Sequence, residues 1–504
     1  MRLREILVRG DFLTAQGILG TTGLVWFRGG LRLEDNTCLY AALRENERVR
    51  CLYVLDDNYL RGADIGAARV VFLLDALHEL ENQLQKHGGQ LIVRLSSEVA
   101  PVVISVAKEV GAGRIYANTD YLPYPMARDR KVEELALAEG LRFQTYDDVL
   151  LVDPATVLMD DDTPFTVFTP FKRSWETRLR TPARYDIAPL LHKLQQDQSF
   201  PFFPSSPLPT PTDYGLSTTQ TLEKAGEVRA QARLAEFVSL GLPTYHQNRD
   251  FCADPNSTSR LSMHIKWGTI SIRDCYRAAR NLNGPGADKW IDELAWREFY
   301  YAITYHFPDN LTGPMLPAFR RFPWSDNKEH FEAWKEGMTG YPFVDAAMRQ
   351  LNSIGWMHNR TRQVVASYLS KDLLINWQDG ERYFMQQLMD GDWPSNNGGW
   401  QAVAGTFGSN MSKSARIFNP VLQREKYDPQ SEYVRQWVPE YGTPRYPQPI
   451  VTHAVGQDDF MKAFATIADR SAGRPYADTG GDGNAKGDRN RGRERGGSKQ
   501  RGLF

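Results

Sequence analysis

The chain has 504 residues, too many for one hydrophobic core, so two or three domains are expected. Its 60 Lys and Arg stand against 61 Asp and Glu, so the chain as a whole is no polycation, and any contact with nucleic acid must come from a local basic patch. No apolar run is long enough for a membrane span, and Cys38, Cys51, Cys252 and Cys275 show neither a CxxC nor a metal-ligand spacing, so they read as buried free thiols of a reducing compartment.

Residues 1–20 hold only short apolar pieces and an internal acid, and read as an N-terminal extension rather than a secretion signal. TTGLVWF (Thr21 to Phe27), RVRCLYVLDD (Arg48 to Asp57), GQLIVRL, RIYANTD and LRFQTYDDVLLV then read as five strands. Helical periods lie between them in NTCLYAALRE, VVFLLDALHELENQLQKHG, VAPVVISVAKEVG and ARDRKVEELALAEG. This alternation predicts an α/β domain over 21–152, a parallel sheet with helices on both faces. No G-x-G-x-x-G follows the first strand, which disfavours an ordinary dinucleotide cradle there. Over 153–226 the pattern breaks, and QSFPFFPSSPLPTPTDYG reads as a long interdomain connector. From 227 to 457 helical periods dominate, in QARLAEFVSLG, WIDELAWREFYYAITYHF, PFVDAAMRQLNSIG and TRQVVASYLSKDLLINW, so the second domain is expected to be almost all helical. Residues 458–504 are expected to form a mostly disordered Gly/Arg-rich tail, with seven basic and two acidic residues from Lys486 onward.

Chemistry concentrates in the helical region. DGDWPSNNGGW (Asp390 to Trp400) follows WMHNRTRQVVASYLSKDLLINW (Trp356 to Trp377). Two carboxylates, two adjacent amides and paired glycines beside a tryptophan fit a tight pocket for a large, flat ligand with polar edges, and flavin is the obvious candidate. TSRLS (Thr258 to Ser262) sets hydroxyls before a helix start, which suits a pyrophosphate, although such runs are usually plain caps. Asn359 and Arg362 share a helix face, as do Glu293 and Trp296 in DELAWREFY. The DGD spacing lacks a further His or acid, so no metal site is expected.

These stretches resemble the photolyase/cryptochrome family, and most of all the bacterial-type (class I) cyclobutane pyrimidine dimer photolyases. The resemblance spans roughly residues 22–455 and is strongest in GYPFVDAAMRQLNSIGWMHNR, NNGGWQ and EYVRQWVPE. It implies an FAD held in the helical domain and light-dependent DNA repair, in which excited FADH− passes an electron to the dimer. It also implies UV-damaged DNA as partner, a monomer, no membrane and a cytoplasmic location. A cryptochrome-like blue-light photoreceptor, or a photolyase-like enzyme with altered lesion or single-strand preference, stands as the alternative. The same resemblance assigns Tyr245, Thr258, Ser259, Arg260, Leu261, Ser262, Arg297, Trp356 and Asn359 to the cofactor. It adds Arg362 and Asp372 as an ion pair beside the isoalloxazine ring, Asp390 and Asp392, and Asn396 next to flavin N5. Trp400, Trp377 and Trp324 match an electron relay, running from the flavin to solvent. Glu293, Trp296, Asn359, Gln363 and Ala402 match the substrate cavity.

Several positions depart from the family pattern. Gln363 stands where a Met lines that cavity, and Ala402 where a second tryptophan does, which predicts a wider, more polar pocket with Trp393 as a replacement aromatic. Gly29 and Gly30 replace an Arg and an Asp, and Leu122 an acid, near the antenna site, so a second chromophore is open between none, deazaflavin and folate.

Overall fold

A computed structural model of the protein describes residues 22–180, 184–408 and 416–471; the extension at 1–20 and the tail beyond 471 lie outside the described residues. Five parallel strands form the amino-terminal sheet: β1 (Thr22–Phe27), β2 (Arg48–Asp56), β3 (Leu91–Ser96), β4 (Arg114–Asn118) and β5 (Arg142–Tyr146), in the order β3-β2-β1-β4-β5. β1 is buried along its whole length, the state in which a strand reads as a continuous apolar run. Strand order reverses between β1 and β4, which puts the ligand-accepting crevice of such a sheet at their carboxyl ends. The fifth strand was expected to run to Val152 but ends at Tyr146. Asp148 turns inward instead, into an ionic cluster at the domain boundary.

That cluster joins the two domains. Asp148 accepts from Arg32 at 2.8 Å and from Arg273 at 2.7 Å, and Asp35 accepts from Arg273 at 3.1 Å, Arg277 at 2.8 Å and the Ser271 hydroxyl at 2.6 Å. Arg32, Asp35 and Asp148 come from the sheet domain; Ser271, Arg273 and Arg277 come from the helical one. Gly30 lies at the same boundary with φ +69, where a side chain would meet Asn118, and its backbone packs so closely on Gly268 that a side chain on Gly268 has no room.

The connector is not loose. Ser206 N donates to the Val93 carbonyl at 3.0 Å, Val93 N donates to Ser205 Oγ at 2.9 Å, and Gln90 exchanges two bonds with the Phe203 backbone, which covers the outer edge of β3. Arg50 of β2 lies against the rings of Phe200 and Phe203. Further on, Thr221 N bonds the Ser353 carbonyl and Gln220 the Leu351 carbonyl, within reach of the helical domain.

The helical domain is built around Pro285–His306, which opens on a proline at its first turn and packs on Phe168–Arg178, Tyr245–Asn248, Ile272–Leu282 and Trp393–Ala404. Buried Glu298 on this helix accepts from the backbone of Val152 and from the Trp175 indole, and burial pushes its carboxyl up to about 7. The helix expected over TRQVVASYLSKDLLINW is broken. Asn359–Ser367 runs into a π turn at Tyr368–Asp372, Leu374 takes φ 57, and Asn376 caps a new helix, Trp377–Gln387, by accepting from Gln378 N. The tail boundary drawn at 458 also moves, because His453–Ser471 is a helix whose Phe460, Ala463 and Ile467 pack on Leu316, Phe319 and Phe322. Among the described residues, no helix is long and apolar enough to cross a membrane.

Candidate functional site

A cavity of about 1040 Å³, counted to its open mouth, lies inside the helical domain. Four pieces of chain build it. Residues 258–261 and the short helix Ser262–Trp267 form one wall, and Pro285–His306 supplies Glu293, Trp296, Arg297 and Tyr300. The start of Asn359–Ser367, with Trp356 before it, supplies Asn359 and Arg362, and the approach to Trp393–Ala404 supplies Asp390, Asp392 and Ser395. Tyr245, Thr258, Ser259, Arg260, Leu261, Ser262, Arg297, Trp356, Asn359, Arg362, Asp390 and Asp392 therefore meet in one place, with Glu293 and Trp296 on the same wall.

The polar groups are held in defined positions. Arg362 bonds the Met357 carbonyl at 2.9 Å and pairs with Asp390 at 2.8 Å. Asp392 accepts from the Tyr301 hydroxyl and Ser395 Oγ, both at 2.9 Å, with Lys266 at 3.4 Å. Burial pushes the Asp392 carboxyl up, but Lys266, Arg297 and the two hydroxyls outweigh it, and the group sits below the ordinary carboxylate value. Arg260 takes φ 50 and rests over the Trp356 ring at 4.8 Å, while Arg233 anchors the carbonyls of Thr258 and Ser259 from behind. Ser262–Trp267 has six residues, so positive potential here comes mainly from side chains such as Lys266 and Arg297 rather than from a helix end. Glu293 is ion-paired with Arg249 and lies 3.2 Å from Lys289.

Several assignments are corrected. Asp372 is not the partner of Arg362. It is buried beside the π turn, bonds His453 Nδ1 at 2.5 Å and packs under Gly456, so it fastens the last helix and lies off the cavity wall. Arg362 takes Asp390 because that carboxylate is the one brought beside it across the cavity. Gln363 does not line the cavity. It is 2 % exposed, accepts from Arg360 at 2.6 Å and donates to Asn359 Oδ1 at 3.4 Å. Ala402 is off the wall too, half-buried against the hydrophobic core. The aromatic beside Trp296 is Phe168, stacked at 3.7 Å with rings 7° apart; among the described ring contacts none involves Trp393. One face of Trp296 is therefore already covered, which narrows the opening expected there.

Asn396 sits just behind Ser395. Its Nδ2 donates to the Glu381 carbonyl at 3.1 Å, and its Oδ1 is buried with no hydrogen-bond partner among the described residues. Neighbouring Asn397 bonds the Glu381 carboxyl, which burial pushes up to about 8. Trp400 and Trp377 are buried on adjacent helices packed through Gly380, while Trp324 is half-buried near the last helix. Ser325 bridges to Ile375, so the segments carrying Trp324 and Trp377 run side by side. The ring contacts of Trp400 are with Phe384 at 5.0 Å and Trp334 at 6.1 Å. Lys266, Arg249 and Tyr300 line the cavity without having been singled out; Lys266 was within reach, being four residues after Ser262 on the same helix face.

The residues fit a flavin dinucleotide. Hydroxyls and cations line the cavity, and Asp390, Arg260 and Arg297 on its wall, with Asn396 behind Ser395, carry buried polar atoms that lack partners among the described residues, as expected of groups that bond a ligand. Among the described residues no cluster of His, Cys, Asp or Glu could hold a metal ion, and all four cysteines are buried and free. At the carboxyl end of the sheet, Arg28 bonds the Asn118 carbonyl and Asp129 and shares the Trp26 ring with Arg128, so this chain's own side chains bridge the crevice between β1 and β4.

Comparison with known proteins matches these features. A family model described as the FAD binding domain of DNA photolyase matches residues 290–444, and one described as DNA photolyase matches residues 23–189. A deoxyribodipyrimidine photo-lyase from Synechococcus sp. is 37 % identical over 481 residues, covering 89 % of this chain and 98 % of the relative. The crystal structure of a class III photolyase from Agrobacterium tumefaciens aligns with TM-score 0.81 at 32 % identity, over 90 % of this chain and 99 % of that one. A cryptochrome from Synechocystis sp. aligns with TM-score 0.78 at 26 % identity, over 88 % and 99 %.

Proposed function

This chain belongs to the DNA photolyase family, and from that membership we propose that it is a deoxyribodipyrimidine photo-lyase, a flavoprotein of the bacterial dimer-repair type that reverses cyclobutane pyrimidine dimers in light. FAD bound in reduced form would supply, on excitation, the electron that opens the cyclobutane ring and would recover it afterwards. Lys266, Arg297, Thr258 and Ser262 would hold the pyrophosphate, and Arg362, neutralised by Asp390, would lie beside the ring system. Glu293 and Asn359 would hydrogen-bond the bases, and Trp296 would pack on them. The relay of Trp400, Trp377 and Trp324 would carry electrons inward to restore the reduced cofactor and would not touch the lesion. We propose a cytoplasmic monomer whose repair does not depend on a second chromophore, since the reduced cofactor would absorb light itself.

Asn396 is the observation that carries this reading. Its amide nitrogen is committed to the Glu381 carbonyl, and although Asn396 lies behind Ser395 rather than on the cavity wall, its buried Oδ1, without a partner among the described residues, would be an acceptor matched to a ring nitrogen that bears a proton. A neutral acceptor there suits the reduced, N5-protonated cofactor that repair requires. The test is repair of dimer-containing single- and double-stranded DNA by reduced protein. Dimers should disappear in light and persist in the dark; no loss in light with full flavin occupancy rejects the proposal. The likeness to a cryptochrome and the cover of Phe168 over Trp296 favour a second reading, a blue-light photoreceptor, and the same negative result would support it.

A further inference from the structure

Tyr301 lies behind the cavity, 4 % exposed, and touches an acid and a base that both line it. Its hydroxyl donates to Asp392 Oδ1 at 2.9 Å, and its ring carries the Arg297 guanidinium at 4.5 Å. Burial pushes the phenol well above its ordinary range, so the hydroxyl keeps its proton and serves Asp392 only as a donor. The ring is fixed from the sheet domain. Tyr121, after β4, and Leu150, after β5, pack on it, and Tyr121 donates to Asp147 at 2.9 Å. Arg297 is tied to the same segment, its Nη1 donating to the Val149 carbonyl at 2.8 Å. Arg297 is near enough to attract the Asp392 carboxylate, yet among the described residues it forms no ion pair, and its Nη2 is buried without a hydrogen-bond partner there. Opposite charges free to approach in such a place close on each other. Closed, they offer an incoming ligand neither a free N–H nor a free carboxylate oxygen. The ring that carries one and bonds the other prevents that closure.

We infer that Tyr301 is a positioning residue that keeps Arg297 and Asp392 apart and ready for the cofactor, Arg297 for an anionic oxygen and Asp392 for a hydroxyl. This rests on the flavin reading above, since a flavin dinucleotide carries both kinds of group. The ligand then has no ion pair to break on entering, so Tyr301 raises affinity by preorganisation rather than by contact; it does not itself line the cavity. Because Tyr121, Val149 and Leu150 belong to the sheet domain, that domain takes part in setting the charges of a cavity that lies in the helical one.

Two variants test it. Tyr301→Phe keeps the ring under Arg297 and drops the bond to Asp392; Tyr301→Leu drops both. The FAD dissociation constant of each is read from the fluorescence of FAD released on diluting the flavin-loaded protein, with melting temperature alongside. It should rise about 3-fold for Tyr301→Phe and about 10-fold or more for Tyr301→Leu. Combined with Arg297→Met, Tyr301→Leu should add no more than about 3-fold to the loss that Arg297→Met causes by itself, because the side chain it positions is gone. A merely structural tyrosine would lower the melting temperature, and its effect on FAD would multiply with that of Arg297→Met. That result overturns the inference, as does an FAD constant unchanged in Tyr301→Leu. If Tyr301→Leu does not fold, Tyr301→Phe combined with Asp392→Ala decides: its effect on FAD vanishes there if Tyr301 acts through Asp392 and persists if the role is structural. Wild-type protein that takes up no FAD sinks the flavin reading and this one with it. Wild-type protein that binds FAD, with losses that multiply, sinks this inference alone.

Discussion

Replacing Arg273 by methionine removes the centre of the ionic cluster between the domains. Three hydrogen bonds go with it: to Asp148 at 2.7 Å, to Asp35 Oδ2 at 3.1 Å, and to the Asp35 carbonyl. Breaking a buried pair by deleting one partner costs about 3–5 kcal/mol when the other charge is stranded. Here neither carboxylate is stranded, because Asp148 keeps Arg32 and Asp35 keeps Arg277 and Ser271, so a loss of about 2–3 kcal/mol is expected. The pH dependence sharpens the test. Burial pushes both carboxyls up, yet the arginines and hydrogen bonds outweigh it and hold them below the usual value. Groups with depressed folded-state values stabilise the fold above the unfolded carboxylate range and lose that contribution as pH falls through the folded values. With Arg273 gone both values rise, so acid unfolding should begin at higher pH. Urea melts at neutral pH and an acid titration followed by near-UV circular dichroism would show both effects. A variant with unchanged urea midpoint and unchanged acid midpoint would refute the view that this cluster holds the domains together.

Other outcomes follow from the cavity and the relay. Arg362→Ala should reduce retained FAD on gel filtration by tenfold or more, because it strands Asp390, whereas Asp372→Asn should leave flavin content intact and lower the melting temperature by loosening the last helix; the reverse pattern would restore the pairing read from sequence. Trp377→Phe should slow light-driven reduction of oxidised flavin at least tenfold while sparing repair by pre-reduced protein, and an unchanged photoreduction rate would make Trp377 packing only. Binding of damaged DNA should weaken steeply between low and physiological salt, because a chain of net charge −1 must bind phosphates through a segregated basic rim; a flat salt profile would count against it.

The sheet was legible because a strand buried on both faces has to be apolar throughout, as in TGLVWF. The end of β5 was not, since whether Asp148 continues a strand or turns into a cluster depends on Arg273, 125 residues away. The break inside residues 361–377 carried a signal in Asn376, a good cap, but the apolar spacing runs on through the π turn and hides it. That most of the residues expected around the cofactor would meet at one cavity was legible, because that wall comes from a few short stretches. Partner choice was not. Arg362 had two acids available, and only the packing of the Asp390 segment against the helix start decides between them. Gln363 follows Arg362 by about 100° of helix rotation, enough to move it from the wall to the layer behind. Phe168 comes from the connector side of the chain, and no local pattern announces that it stacks on Trp296.

The connector's hold on β3 bears on how the protein is made. A sheet edge with unpaired N–H and C=O groups is a template for any other strand it meets. The strands of the first domain are all synthesised by residue 146, yet the chain that covers the β3 edge arrives only with residues 203–206. For the interval between, a nascent chain on the ribosome exposes the β3 edge in addition to the β5 edge of the sheet. A fragment ending near residue 152 would keep that edge permanently. The β3 edge of the first domain is therefore covered only once some fifty further residues have been added, and a shorter fragment should aggregate more readily through strand pairing at that edge.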